Sequence, residues 1–74
     1  MAMDSKRTGK FISSNRRKQG LSQKELAEQL NITDKAISKW ERGLSFPDIS
    51  MLIPLSEILD ITLYDLLTGG IEDE

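Results

Sequence analysis

The sequence predicts an all-α, compact five-helix domain, with a helix-turn-helix formed by helices 2 and 3. Three observations carry this. Apolar residues recur at helical rather than alternating spacing along the chain. Ser22, Thr33 and Thr62 each stand where a helix would start, with apolar residues directly before and four positions after. Helices 2 and 3 are separated by only about three residues, too few for a comfortable antiparallel pair, so they must cross steeply.

Composition narrows the function classes. The 74 residues make one domain. A chain this short buries only about 60% of the surface its unfolded form exposes, so the core is small. It has no cysteine and no histidine, which removes disulfides, thiolate metal sites and the commonest general base. No cofactor, metal or enzymatic activity is expected. No apolar run approaches the roughly 20 residues of a membrane span, and no signal-peptide pattern opens the chain, so a soluble, cytosolic module is expected. The net charge of −2 conceals polarity. Residues 1–24 hold seven Lys and Arg against Asp4 alone, a balance of +6. The other fifty hold three against eleven acids, a balance of −8. A basic front is compatible with nucleic-acid binding, since affinity follows the local patch, but also with a solvated helix.

Residues 1–70 form the expected domain. Met1 to Lys6 are expected to be frayed. Helix 1 is predicted over about 6–19, with a thin apolar face of Thr8, Phe11 and Ile12. Gly9 costs it up to about 1 kcal/mol relative to alanine, and Gly20 suits its C-terminal cap. Arg16, Arg17 and Lys18 suit the negative end of its dipole, which is a structural reason for that basic cluster. Helix 2, about 22–30, opens with a capping box of Ser22 and Glu25, stapled by Leu21 and Leu26. Asn31 tolerates the left-handed turn that follows. Helix 3, about 33–42, has Thr33 as N-cap and Ile32 with Ile37 as staple, and Gly43 ends it. Helix 4, about 48–59, is capped by Asp48 or Ser50. Its Ile49, Leu52, Ile53, Leu55, Ile58 and Leu59 place the core's centre there, and Pro54 should bend it. Helix 5, about 62–68, starts at Thr62 with Ile61 and Leu66 as staple, and Gly69-Gly70 stops it. Residues 71–74 read as an acidic, disordered tail.

Helix 3 organises the rest. At about 100° per residue, Thr33, Ala36, Ile37 and Trp40 share one face, while Asp34, Lys35, Ser38, Lys39 and Arg42 fall within about 140° on the other. The first face asks for a core. The second offers donors and an acceptor to a partner such as the DNA major groove. Trp40 as a stacking platform is the weaker reading, because it shares the core face.

The segments Gly20-Leu21-Ser22-Gln23-Lys24-Glu25-Leu26-Ala27, Ile37-Ser38-Lys39-Trp40-Glu41-Arg42-Gly43 and Phe46-Pro47-Asp48 resemble helix-turn-helix domains of the Cro and lambda-repressor type, also called the Xre family. The resemblance spans about residues 8–69 and implies a lambda-repressor-like fold. It implies a transcriptional regulator, a repressor, that binds double-stranded DNA with helix 3 in the major groove. The base-edge candidates are then Asp34, Lys35, Ser38 and Lys39: lysine donates to guanine, and Asp34 accepts from cytosine N4. Asp34 also suits a helix N-terminus structurally. Gln23 matches the family's phosphate-contacting glutamine, and Thr33, Arg42, Lys24 and Arg16 are further phosphate candidates. Arg16 and Glu41 match a pair that ties helix 1 to helix 3. The implied partner is a palindromic operator bound by a homodimer, with no membrane or metal partner, in a cytoplasmic, nucleoid-associated protein. Three departures stand out: Asn15 at an apolar position, Asn31 where glycine is common, and a loop Leu44–Pro47 without basic residues. The alternative is a protein-interaction module on the same scaffold that no longer binds DNA. Lys35 and Lys39 discriminate, since such a module has little reason to keep them.

Overall fold

The computed structural model describes residues 4–70, which form five helices: α1 Ser5–Lys18, α2 Gln23–Leu30, α3 Asp34–Glu41, α4 Ile49–Leu59 and α5 Leu63–Thr68. Among the described residues there is no strand. No helix among the described residues is long and apolar enough to cross a membrane. The expectations for Met1–Met3 and for the tail 71–74 lie outside the described residues.

Local chemistry sets the helix starts. Ser22 Oγ accepts from the Glu25 amide at 3.0 Å, and Glu25 Oε1 accepts from the Ser22 amide at 2.8 Å, closing the capping box. Thr33 and Thr62 cap α3 and α5 through the amides of Ala36 and Asp65. At each of these three starts the fourth helical residue is fully buried: Leu26, Ile37 and Leu66. Their partners Leu21, Ile32 and Ile61 pack against the same core. Fraying through Lys6 is not observed. Asp4 accepts from the amides of Lys6 and Arg7, so α1 starts at Ser5. Asp48 rather than Ser50 caps α4, holding the Ser50 amide at 3.1 Å and its hydroxyl at 2.6 Å.

Two helices end on non-glycine residues with left-handed backbone, Asn31 (φ 62°) and Asp60 (φ 58°). These are the side chains that tolerate that region best after glycine. At the first, the Ile32 amide donates to the Ala27 carbonyl at 2.9 Å, which turns the chain directly into α3.

The core consists of Ile12, Leu26, Ala27, Leu30, Ile37, Trp40, Leu52, Leu55, Leu59 and Leu66. It corrects the expectation for α4. Leu52, Leu55 and Leu59 are buried, but Ile49 is 82% and Ile53 60% exposed. Six large apolar residues exceed what one helix face can bury, and these two lie about 90–130° round from the buried stripe. Pro54 leaves α4 continuous. The bond it removes is the one to the Ser50 carbonyl, in the solvent-exposed first turn.

α1 is the hub. It packs on α3, α4 and α5, whereas α3 rests on α1 and α2. Thr8 donates its hydroxyl to the Leu66 carbonyl at 3.1 Å, joining α1 to α5 in the interior. The buried Asn15 satisfies its amide within α1, on the Phe11 carbonyl at 2.9 Å. Gly9 has a packing role that propensity does not reveal. A Cβ there would run into the Trp40 carbonyl oxygen and lie 3.0 Å from that of Glu41, so the bare backbone lets α1 seat on the end of α3.

Candidate nucleic-acid interface

α3 is only eight residues long, too short to hold itself in water. Its inner face holds it instead: Ile37 is fully buried and Trp40 is 6% exposed. That anchoring leaves Asp34, Lys35 and Lys39 exposed on the outer face. Among the described residues none of them makes an ion pair, since the one salt bridge joins Arg16 to Glu41. Ser38 is half-buried and engaged. Arg42 folds back one turn and donates from Nε to the Ser38 hydroxyl at 3.2 Å and to its carbonyl at 3.3 Å. The Arg42 Nη groups project beyond that contact as the remaining donors of the pair.

Beneath this face lies a charged network. Arg16 Nε donates to Glu41 Oε2 at 2.7 Å and Nη2 to Oε1 at 3.0 Å, a bidentate pair, while Nη1 donates to the Leu21 carbonyl at 2.8 Å. Gln23, from the first turn of α2, donates Nε2 to Glu41 Oε1 at 3.0 Å. One carboxylate therefore fixes the ends of three helices. Burial pushes the Glu41 carboxyl up, but the hydrogen bonds from Arg16 and Gln23 outweigh it and hold the pKa below the usual carboxylate value. The bond to Glu41 likewise raises Arg16.

This geometry sorts the expected phosphate contacts. Thr33 and Lys24 are exposed beside the starts of α3 and α2, and Arg42 is exposed at the end of α3. Gln23 is half-buried with one N–H committed inward, leaving its carbonyl oxygen and a second N–H for a partner. Arg16 makes the expected structural pair with Glu41, and its place among the phosphate candidates fits the structure less well. It is 8% exposed, and three of its guanidinium contacts go to protein acceptors, so the structure puts it under the surface and not on it. The residue pattern also gave no sign that Gln23 would turn toward Glu41, eighteen positions away.

The helix-turn-helix family model matches residues 12–66. The transcriptional activator BcrR of Enterococcus faecalis is 43% identical over 49 residues, which are 66% of this chain and 24% of that protein. The transcriptional regulator ImmR of Bacillus subtilis is 39% identical over 61 residues, 82% of this chain and 47% of that protein. The chain thus spans less than half the length of these relatives. The phage P22 c2 repressor, solved in complex with a synthetic operator, superposes with a TM-score of 0.79 at 32% identity, covering 84% of this chain and 94% of that one. Matched over most of its length in sequence and in fold, the chain belongs to the helix-turn-helix family of the Cro and lambda-repressor type.

Proposed function

We propose that this chain is the DNA-reading module of a transcriptional regulator, which lays α3 in the major groove of a double-stranded operator and represses by occupying it. One observation carries the reading: the exposed row Asp34, Lys35 and Lys39, without an ion-pair partner among the described residues, on a helix whose opposite face is locked into the core. Such a helix presents its row rigidly, and a rigid row can be matched to base edges. Lys35 and Lys39 donate to guanine O6 and N7, and Asp34 accepts from cytosine N4. Ser38 and Arg42 act together, the serine near the base edges and the arginine Nη groups toward a phosphate. Gln23, Lys24 and Thr33 position the module on the backbone. Arg16 positions Glu41, and through it α3.

The exposed Ile49, Ile53 and Leu63, which line one apolar groove, support assembly of two copies on a palindromic site. Half-sites about 34 Å apart would then face the same groove side. Against the alternative, a protein-interaction module without DNA binding, stand Lys35 and Lys39, held exposed with no ion-pair partner for either charge among the described residues.

The test is selection from a random duplex pool at low and at physiological salt, with the wild type beside a Lys35→Ala/Lys39→Ala variant. The wild type should enrich one sequence. The variant should lose about tenfold to a hundredfold in preference per lysine while keeping weak, salt-sensitive binding. A wild-type chain that ignores duplex DNA at both salts refutes the proposal.

A further inference from the structure

Between α1 and the C-terminal end of α3 runs an open furrow of about 600 Å³, lined by Lys10, Ser13, Ser14, Arg17, Lys18 and Glu41. On α1 the spacing 10, 13, 14, 17, 18 is a single helical face. We infer that this furrow is a phosphodiester-binding site, in which Lys10, Arg17 and the exposed hydroxyl of Ser14 hold the DNA backbone beside the α3 groove contact. The inference rests on the DNA-binding reading and extends its footprint to a helix outside the helix-turn-helix.

Three observations support it. Lys10, Arg17 and Lys18 are exposed and have no ion-pair partner among the described residues. The only acid lining the furrow among the described residues, Glu41, is already matched by the bidentate guanidinium of Arg16, the Gln23 amide and the Ser13 hydroxyl, so the furrow keeps its positive charge. Finally, the charge has nowhere else to be. The chain contains no Lys or Arg after Arg42, and the loop 44–47 that follows α3 offers no cation to a phosphate. Of ten Lys and Arg, seven lie in residues 1–24. From Lys10 to Arg17 the helix advances about 10 Å, enough to meet more than one phosphate of a strand whose charges recur every ~3.4 Å along the duplex axis.

The chemistry is suited to a diester oxygen: two flexible or forked cations for charge, and the Ser14 hydroxyl as a donor for orientation. Such contacts strengthen binding to all sequences alike and carry no base information.

The experiment is a salt titration of affinity for the wild type's selected duplex and for an unrelated duplex. It compares the wild type, Lys10→Ala/Arg17→Ala, and Ser14→Glu, with urea unfolding to confirm that each variant folds. For the double variant the log-affinity against log-salt slope should become shallower by about 2, with equal losses on both duplexes. Ser14→Glu keeps both cations and should weaken both duplexes through repulsion. A folded double variant with the wild-type slope overturns the inference and leaves the DNA-binding reading intact, as does a loss confined to the selected duplex. Failure of the wild type itself to bind either duplex overturns both.

Discussion

Replacing Gly9 by alanine separates two lines of reasoning that give opposite signs. Helix propensity alone predicts stabilisation of about 1 kcal/mol, because glycine in a helix interior is poor. Packing predicts the reverse. The added Cβ would overlap the Trp40 carbonyl oxygen and stand 3.0 Å from that of Glu41. Both are main-chain atoms in the last turn of α3 and cannot swing aside as a side-chain tip would, so α1 must back away. Overpacking of this kind costs about 1–3 kcal/mol, and contact with backbone puts Gly9→Ala at the upper end. Subtracting the propensity gain leaves a net loss of about 2 kcal/mol, which for a domain this size lowers Tm by about 8–16 °C. The displacement also pulls Arg16 from Glu41, both of which lie on the two surfaces being separated. Thermal and urea unfolding followed by circular dichroism measure the effect. A Gly9→Ala protein as stable as the wild type, or more so, refutes the claim that α1 and α3 meet backbone to backbone.

Two other perturbations probe the network and the apolar face. Glu41→Gln leaves the buried Arg16 without its counter-charge and should cost about 3 kcal/mol at neutral pH, the lower end of the range for breaking a buried pair, because the amide oxygen still accepts. Since Glu41 has a lowered folded pKa, its contribution is complete above the unfolded value and disappears as pH falls through the folded one, so wild-type stability should drop below about pH 4.5. Asp48, held low by Ser50, titrates in the same direction. The wild-type minus Glu41→Gln difference therefore isolates Glu41, and urea midpoints from pH 3 to 7 that run parallel in the two proteins would contradict the assignment. Ile53→Lys, at a 60% exposed position, should change folding stability by less than about 0.5 kcal/mol. On a palindromic duplex it should convert a two-copy complex into a one-copy complex in native mass spectrometry, and unchanged stoichiometry would remove this face from the dimer model.

What the sequence makes legible follows from the range of each interaction. Capping and stapling act within six residues, so Ser22 with Glu25, Thr33 and Thr62 can be identified from their neighbours, and the fold class follows from them. Asp4 belongs to the same local class, directly before a helix start, and its signal was available. Contacts between distant segments are not written in any local pattern. The Arg16–Glu41 pair, 25 positions apart, is readable only through family resemblance. Gly9 looks like a defect until Trp40 is brought against it. The error in α4 has another source: an apolar run states how much hydrophobic surface exists, while the count that one face can bury decides which residues go inside. The candidate site shows the same division. The outer face of α3 is a matter of helical phase, whereas the sharing of Gln23 and Ser38 with protein partners depends on packing and rotamer.

Charge is unevenly divided along the chain, +6 over residues 1–24 and −8 over the rest, and the fold sets the cations of α3 beside those of α1. Lys10, Arg17 and Lys18 line the furrow beside α3, while Lys35, Lys39 and Arg42 sit on α3 itself. α4 and α5 hold Glu57 and Asp65 and no cation. α3 makes its packing contacts with α1 and α2, so the acidic pair of helices is placed away from the proposed groove contact. Net charge, at −2, therefore says little about approach to a polyanion. The placement of charge says more: the cations of α1 and α3 would draw a duplex to their surface, and the acids of α4 and α5 would add repulsion, orienting encounters before any contact forms. That orienting torque depends on acids that would touch no DNA. Neutralising Glu57 and Asp65 should leave the dissociation rate from operator unchanged. It should alter the association rate only at low ionic strength, where fields reach beyond the roughly 10 Å Debye length of 0.1 M salt. An effect of those substitutions on dissociation would mean that α4 or α5 meets the duplex directly, and the orientation proposed for α3 would have to be abandoned.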